Sequence, residues 1–322
     1  MAESSPVESG YASAASASSR SSSASLSKTA AAAATSKSRP AVSLTAAHLA
    51  HLNSQLETMH PRDILRFARV FFPNLYQSTA FGLTGLVTLD MLAGLCAEDE
   101  EQKSNDTTET TETTTTTPPV PLIFLDTLFH FPETYALVDR VRARYPHTPL
   151  HAFRPAGAST PAEFAALYGP ELYRTDAERY DYTAKVEPLQ RAYRELGVVA
   201  VLTGRRRSQG GARGALPVLE VDADSGGIVK INPLAAWSFA QVRQYVDEHR
   251  LIYNELLDRG YKSVGDWHST SPVADGEDER AGRWKGQNKT ECGIHNSRSR
   301  YALYLQEKQK RAAGVMEVQA VV

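Results

Sequence analysis

Pro121-Leu122-Ile123-Phe124-Leu125 is the segment that most limits what this chain can become. Five apolar residues without a polar alternate cannot form a strand with one wet face. Such a run suits a strand buried on both sides, the situation in parallel sheets covered by helices. Val198-Val199-Ala200-Val201-Leu202-Thr203 repeats the pattern. Shorter β-like runs stand at Leu75-Tyr76-Gln77-Ser78 and Leu150–Phe153, and segments of helical spacing separate them. Strands alternating with helices predict an α/β fold, a parallel twisted sheet with helices on both faces.

The helical segments can be placed from their spacing. Leu49, Leu52, Leu56 and Met59 recur on one face, and Pro61 suits the first turn of a second helix carrying Ile64, Leu65, Ala68, Phe71 and Phe72. A third helix, with Leu86, Leu89, Met91 and Leu92, is expected to end near Ala97, and another to span 132–145. Ser238-Phe239-Ala240-Gln241 matches a capping box and opens a helix with Val242, Tyr245 and Val246 on one face.

Residues 1–44 form a Ser/Ala-rich tail expected to be disordered, and 98–119 an acidic, then Thr-rich inserted loop without a function of its own. Between the tail and a C-terminal helix and tail at 298–322 lies one domain, 45–297, whose last part, 260–297, reads as a long functional loop; the family resemblance given below makes this the catalytic domain and that loop a mobile catalytic segment.

Composition narrows the function classes. With 35 basic and 37 acidic residues the net charge is −2, which argues against a nucleic-acid coat and requires any polyanion to be met by a local basic cluster. No apolar run reaches the roughly 20 residues of a membrane span. Two cysteines, Cys96 and Cys292, cannot build a disulfide scaffold, an all-cysteine zinc site or a Cys-ligated iron–sulfur cluster. The cysteine count thus leaves no metal centre built on thiolates, and no bound metal or cofactor is expected once the family resemblance given below is added. Such frugality fits a reducing compartment. The N-terminus faintly resembles a transit peptide, but Glu3 and Glu8 and the lack of an arginine-lined stripe favour the cytoplasm.

Four constellations could carry chemistry. Ser78-Thr79-Ala80-Phe81-Gly82-Leu83-Thr84-Gly85 joins a strand to a helix N-terminus, where backbone N–H groups and the helix dipole favour phosphate, although it is neither a Walker loop nor GxGxxG. Asp126-Thr127 ends the second strand, where ligands bind in open α/β sheets; the aspartate could accept from a ribose hydroxyl or an adenine amino group, or simply cap the next helix. The run 204–213, with Arg205, Arg206, Arg207 and Arg213 on a Gly-rich loop at a strand end, reads as an anion site rather than a solvated charge run. Cys292, with Lys289 three residues before and His295 three after, has the cationic surroundings that lower a thiol pKa. Cys96, among Leu92, Leu95 and Ala97, reads as packing.

Together with Lys185-Val186-Glu187-Pro188, Asn232-Pro233-Leu234, Gly260-Tyr261-Lys262-Ser263-Val264-Gly265-Asp266, Glu279-Arg280-Ala281-Gly282-Arg283-Trp284 and Glu291-Cys292-Gly293-Ile294-His295, these segments resemble phosphoadenylyl-sulfate (PAPS) reductases, most of all the fungal thioredoxin-dependent branch. The match runs from about Pro61 to His295. The resemblance implies an adenine-nucleotide α-hydrolase-like fold related to the PP-loop pyrophosphatases, usually dimeric, without an iron–sulfur cluster. Ser78, Thr79, Phe81 and Gly82 would then hold the nucleotide, with Asp126, Thr127, Arg206, Arg207 and Arg213 also binding substrate. Lys185, Arg280 and Arg283 would contact the phosphosulfate, with His295 beside it and Cys292 as the nucleophile. The implied products are sulfite and adenosine 3′,5′-bisphosphate, with reduced thioredoxin as co-substrate. The loop at 78–82 lacks the second glycine and the aspartate of the pyrophosphatase SGGxDS pattern, so adenylylation is not expected. Two rivals remain: an ATP-using PP-loop enzyme, to be separated by an ATP-to-pyrophosphate assay, and a non-catalytic nucleotide sensor that would release no sulfite.

Overall fold

The computed structural model describes residues 43–105 and 118–286, together with Lys289, Glu291, Ile294 and Leu305. The chain opens with α1 (Ala46–Leu56) and α2 (Pro61–Phe71), then β1 (Leu75–Thr79) and α3 (Leu83–Asn105). Next come β2 (Leu122–Leu125), α4 (Pro132–Arg144), β3 (Leu150–Phe153) and three short helices, α5 (Pro161–Tyr168), α6 (Leu172–Thr175) and α7 (Ala177–Asp181). A π-turn over Tyr182–Val186 leads into α8 (Glu187–Glu195), followed by β4 (Ala200–Leu202), β5 (Leu219–Asp222), β6 (Ile228–Ile231) and α9 (Phe239–Glu248).

The strands form one sheet in the order β3-β2-β1-β4-β6-β5. Every pairing is parallel except β5 with β6, an antiparallel hairpin at the edge. That hairpin is the departure from the parallel sheet expected from sequence. Its Gly226 and Gly227 both have positive φ, which a tight reversal requires.

Both faces of the sheet are covered, and the alternation along each strand says by what. Leu122 and Phe124 pack with Leu137, Val138 and Val141 of α4, whereas Ile123 and Leu125 pack with Leu189, Ala192 and Tyr193 of α8. Ala200 and Leu202 meet α2, α3 and α9 through Leu65, Val87 and Val242, while Val201 faces the α8 layer. This double burial is why the two strands read as unbroken apolar runs.

Helix boundaries follow local chemistry. The Ser238–Gln241 capping box at the start of α9 is present as expected. The first helix stops at Leu56, so Met59 is exposed rather than part of its apolar face. The third helix runs on through Glu98 and Asp99 to Asn105, past the boundary expected at Ala97. Ion pairs explain the extension. Glu98 accepts from Arg62 (2.5 Å) and Arg66 (2.8 Å), and Asp99 from Arg69 (2.8 Å), so the acidic start of the expected loop ties α3 to α2. The N-terminal tail, the threonine run at 106–117 and the helix expected from 298 lie outside the described residues, save Leu305. Among the described residues no helix is long and apolar enough to cross a membrane.

Candidate active site

The strand order reverses direction between β1 and β4, and in open α/β sheets that switch point opens a crevice at the strands' carboxyl ends. A cavity lies there. Its walls are the β1–α3 turn, including Ser78, Thr79, Phe81 and Gly82, and the loop after β4, including Thr203, Gly204, Arg205, Arg206 and Arg213. Lys230, Lys262, Ser263, Glu279, Arg280 and Ile294 complete it.

The β1–α3 turn is held in an uncommon conformation. Phe81 has φ 56°, a left-handed backbone that a bulky residue adopts at a cost of about 1–2 kcal/mol. Its N–H donates to Thr79 Oγ1 (2.9 Å), and Gln77 Nε2 donates to the Gly85 carbonyl (2.7 Å). A side chain at Gly85 would stand 2.6 Å from Thr79 Oγ1, so only glycine lets the helix start this close to the strand.

The arginines divide sharply. Arg206 lines the cavity, but its five N–H donors are all engaged: Nε to Thr84 Oγ1 (2.9 Å), Nη1 to Ser208 Oγ (2.6 Å) and the Trp237 carbonyl (3.3 Å), Nη2 to both oxygens of Glu279 (2.8 and 2.6 Å). It is a buried strut joining three loops. Arg207 turns out of the cavity, donating to Glu57 just after α1 and to the Leu216 carbonyl. Arg205 donates to Thr203 and Glu220. Arg213 takes both oxygens of Glu291 (2.7 and 2.8 Å), and Arg280 approaches the same carboxylate at 3.4 Å.

Asp126, Thr127 and Lys185 do not line this cavity; they belong to a polar cluster beside it. Asp126 accepts from Tyr135 (2.7 Å), Arg154 (2.7 Å) and the Leu128 N–H (3.1 Å), so it caps its own turn. It does not cap the next helix, whose N-cap residue is Phe131. The cluster centres on Asp266, a residue that sequence reasoning carried within a motif but gave no role. Its buried carboxylate accepts from Thr127 Oγ1 (2.6 Å) and Tyr180 (3.0 Å), and pairs with Lys185 Nζ at 2.8 Å. Asp181, also passed over, pairs with Lys185 (3.1 Å) and Lys289 (2.5 Å). Burial alone would raise the Asp266 pKa, but Lys185, then His130 and the hydrogen bonds, hold it well below the usual carboxylate range.

His268 stacks on Tyr173 with ring centroids 4.0 Å apart, and its Nε2 is 3.7 Å from Asp266 without a hydrogen bond. Burial outweighs the attraction of Asp266 and lowers its pKa to about 4 from 6.5. As pH falls from 6.5 towards 4 the unfolded chain binds a proton here that the folded chain refuses, so stability present above that window is lost within it. The loss at about pH 5 should be about 2 kcal/mol, and His268→Gln should remove it. Urea melts at about pH 7 and about pH 5 read this directly; identical pH slopes for the two proteins would contradict it.

Of the segment 260–297, expected to be mobile, the described stretch from Gly260 to Gly286 makes backbone hydrogen bonds within itself and to the rest of the fold. Trp267 N–H bonds the Phe129 carbonyl, Val273 the Gly260 carbonyl, and Ser271 the Gly282 carbonyl. A Cβ on Gly282 would fall 2.0 Å from the Ser271 oxygen, so no other residue fits. The buried Trp284 ring then gathers Arg283 (4.6 Å), Lys289 (5.3 Å) and Arg280 (5.6 Å) over it, three cation–π contacts at one indole. Cys292 and His295 lie outside the described residues; Glu291 and Ile294, which flank Cys292 in sequence, are described.

The family described as "Phosphoadenosine phosphosulfate reductase domain" matches residues 74–272. A phosphoadenosine phosphosulfate reductase of Emericella nidulans is 56% identical over 272 residues, covering 84% of this chain and 83% of the relative. A relative in Deinococcus radiodurans, named adenosine 5′-phosphosulfate reductase, is 38% identical over 239 residues, covering 73% of this chain and 81% of its own. The crystal structure of PAPS reductase from Candida auris, in a phosphate complex, is 52% identical with a TM-score of 0.60, covering 71% of this chain and 99% of that one. The order of motifs read from the sequence and the match across most of both chains agree: this chain belongs to the phosphoadenosine phosphosulfate reductase family.

Proposed function

We propose that the protein reduces PAPS to sulfite and adenosine 3′,5′-bisphosphate in sulfate assimilation, through a covalent intermediate on Cys292. The observation that carries this reading is the cation-lined cavity at the β1/β4 switch point in a chain of this family. Ser78, Thr79, Phe81 and Gly82 hold the nucleotide in this scheme. Arg213 and Arg280 meet its anionic groups, while Lys185 and Arg283, which stand outside the cavity lining, support the site from the neighbouring polar cluster and from the Trp284 face.

The Cys292 thiolate attacks the sulfonate sulfur. An S–S bond forms, the S–O bond to phosphate breaks, and adenosine 3′,5′-bisphosphate leaves with the electron pair. Cationic donors stabilise the charge growing on the leaving phosphate. His295 stands beside the thiol in sequence and assists it. The S-sulfocysteine left behind needs two further electrons. Cys96 cannot supply them as a resolving thiol: it is half-buried on α3, and burial raises its pKa. An external dithiol therefore attacks Cys292 Sγ, expels sulfite and closes to a disulfide, a task matched by the low-pKa pair of reduced thioredoxin. We assign the site to a homodimer in the reducing cytoplasm, with no bound cofactor. The purified protein is expected to be colourless, and stoichiometric iron and sulfide would contradict that.

Sulfite release from PAPS, with and without reduced thioredoxin, tests the proposal; no release with both present would refute it. The reading also bears on the 3′-phosphate, because relatives carry both substrate names. A site whose arginines are built to pair a phosphate loses heavily when that group is missing. Adenylyl sulfate is thus expected to show kcat/KM at least about 100-fold below that of PAPS. Comparable values would place the chain with the relatives named for adenosine 5′-phosphosulfate.

A further inference from the structure

Two carboxylates from the C-terminal part of the chain meet cavity arginines, and they do so differently. Glu279 and Arg206 are a buried pair, and every other donor of Arg206 is also satisfied by protein. Glu291 is held by the fork of Arg213 and by Arg280 in a more open setting, with side-chain exposures of 19%, 10% and 15%. Beyond Glu291, Arg213 reaches Gln209 Oε1 on its own loop.

A carboxylate in a two-pronged arginine pair presents the same fork of acceptor oxygens as one edge of a phosphate. Arg213 and Arg280 both line the cavity. We propose that Glu291 is an internal competitor for the anion subsite on Arg213 and Arg280, its carboxylate holding the fork until a phosphate of the nucleotide displaces it. A phosphate dianion carries more charge and a third oxygen, so it wins the exchange, whereas an uncharged ligand gains nothing from it. Arg206 takes no part, since freeing it would strand Glu279 in a buried place. Measured anion affinity is then the net of two pairings, and removing the competitor raises it. The inference rests on the reading of the cavity as a nucleotide site, but it concerns the arginines alone.

Calorimetric titration of the wild type, Glu291→Gln and Glu291→Ala with three probes separates the possibilities. Adenosine 3′,5′-bisphosphate and inorganic pyrophosphate should each bind about tenfold tighter to both variants, while adenosine changes by less than about twofold. Unchanged or weaker binding of both anions would overturn the proposal. An equal gain for adenosine would also overturn it, because that is a general opening of the cavity and not an exchange of anions. If the bisphosphate bound none of the three proteins while pyrophosphate still gained in the variants, the competition would stand and the nucleotide assignment would fall. If the bisphosphate bound the wild type well and the variants gained nothing, the assignment would stand and the competition would fall.

Discussion

Cys292→Ser is expected to form no measurable sulfite from PAPS, while its affinity for adenosine 3′,5′-bisphosphate stays within about threefold of wild type. Serine keeps the size of the side chain, but its hydroxyl is not ionised at neutral pH and does not attack the sulfonate sulfur. The nucleotide contacts assigned to the β1–α3 turn and to Arg213 and Arg280 do not involve the thiol. Cys96→Ser is the matched control. That thiol sits on α3 beside Leu92 and Leu95, outside the motifs, and burial raises its pKa, the reverse of what a nucleophile needs. Its replacement should leave turnover intact and lower stability by about 1–2 kcal/mol. Steady-state sulfite production and urea melts on the two variants decide the matter. Turnover by Cys292→Ser would remove the nucleophile assignment.

Asp266→Asn should do large damage by another route. The carboxylate is fully enclosed and neutralises Lys185 while accepting from Thr127 and Tyr180. An amide of the same shape turns one acceptor into a donor facing the ammonium and removes the compensating charge. Breaking one side of a buried pair costs about 3–5 kcal/mol, partly offset here because Asp181 also holds Lys185. Below the unfolding transition, kcat/KM should fall by about 100-fold or more, because Lys185 and the Val264–Asp266 turn that reaches the cavity lose their anchor. Lys185→Met is the complementary variant: it should match the catalytic loss at an equal or greater cost in stability, since Lys289 pairs with Asp181 and the buried Asp266 carboxylate is left with only its two hydroxyl donors. An Asp266→Asn protein with the wild-type urea midpoint and rate would show that the cluster is not what holds Lys185.

What the sequence disclosed, and what it hid, follows from where each residue's partners come from. The strands β2 and β4 were legible because burial on both faces leaves an apolar run that no other element explains. The α9 capping box was legible because its partners are three residues apart. The hairpin of β5 and β6 was not: Glu220, Asp222 and Lys230 interrupt its apolar pattern, and Lys230 is buried only because Asp222, across the hairpin, pairs with it. Alternation over Leu219–Asp222 followed by Gly226-Gly227 was the available signal. Likewise the arginine cluster announced an anion site, but only the fold sends Arg207 to Glu57 and fills Arg206 with Glu279. Asp266 lay in a stretch rich in Gly, Asp and Ser that reads as a solvated loop. Its partners, Thr127, Tyr180 and Lys185, are distant in sequence, so its burial is a tertiary fact.

The central claim is a covalent sulfonate on one cysteine, and intact mass spectrometry tests it most directly. The protein is mixed with PAPS in the absence of thioredoxin, digested and mapped, then treated with reduced thioredoxin. The account predicts a gain of one SO₃ group on the peptide containing Cys292, lost again as sulfite when the dithiol is added. An adduct on the Cys96 peptide, or sulfite released at full rate while no adduct ever forms, would contradict it.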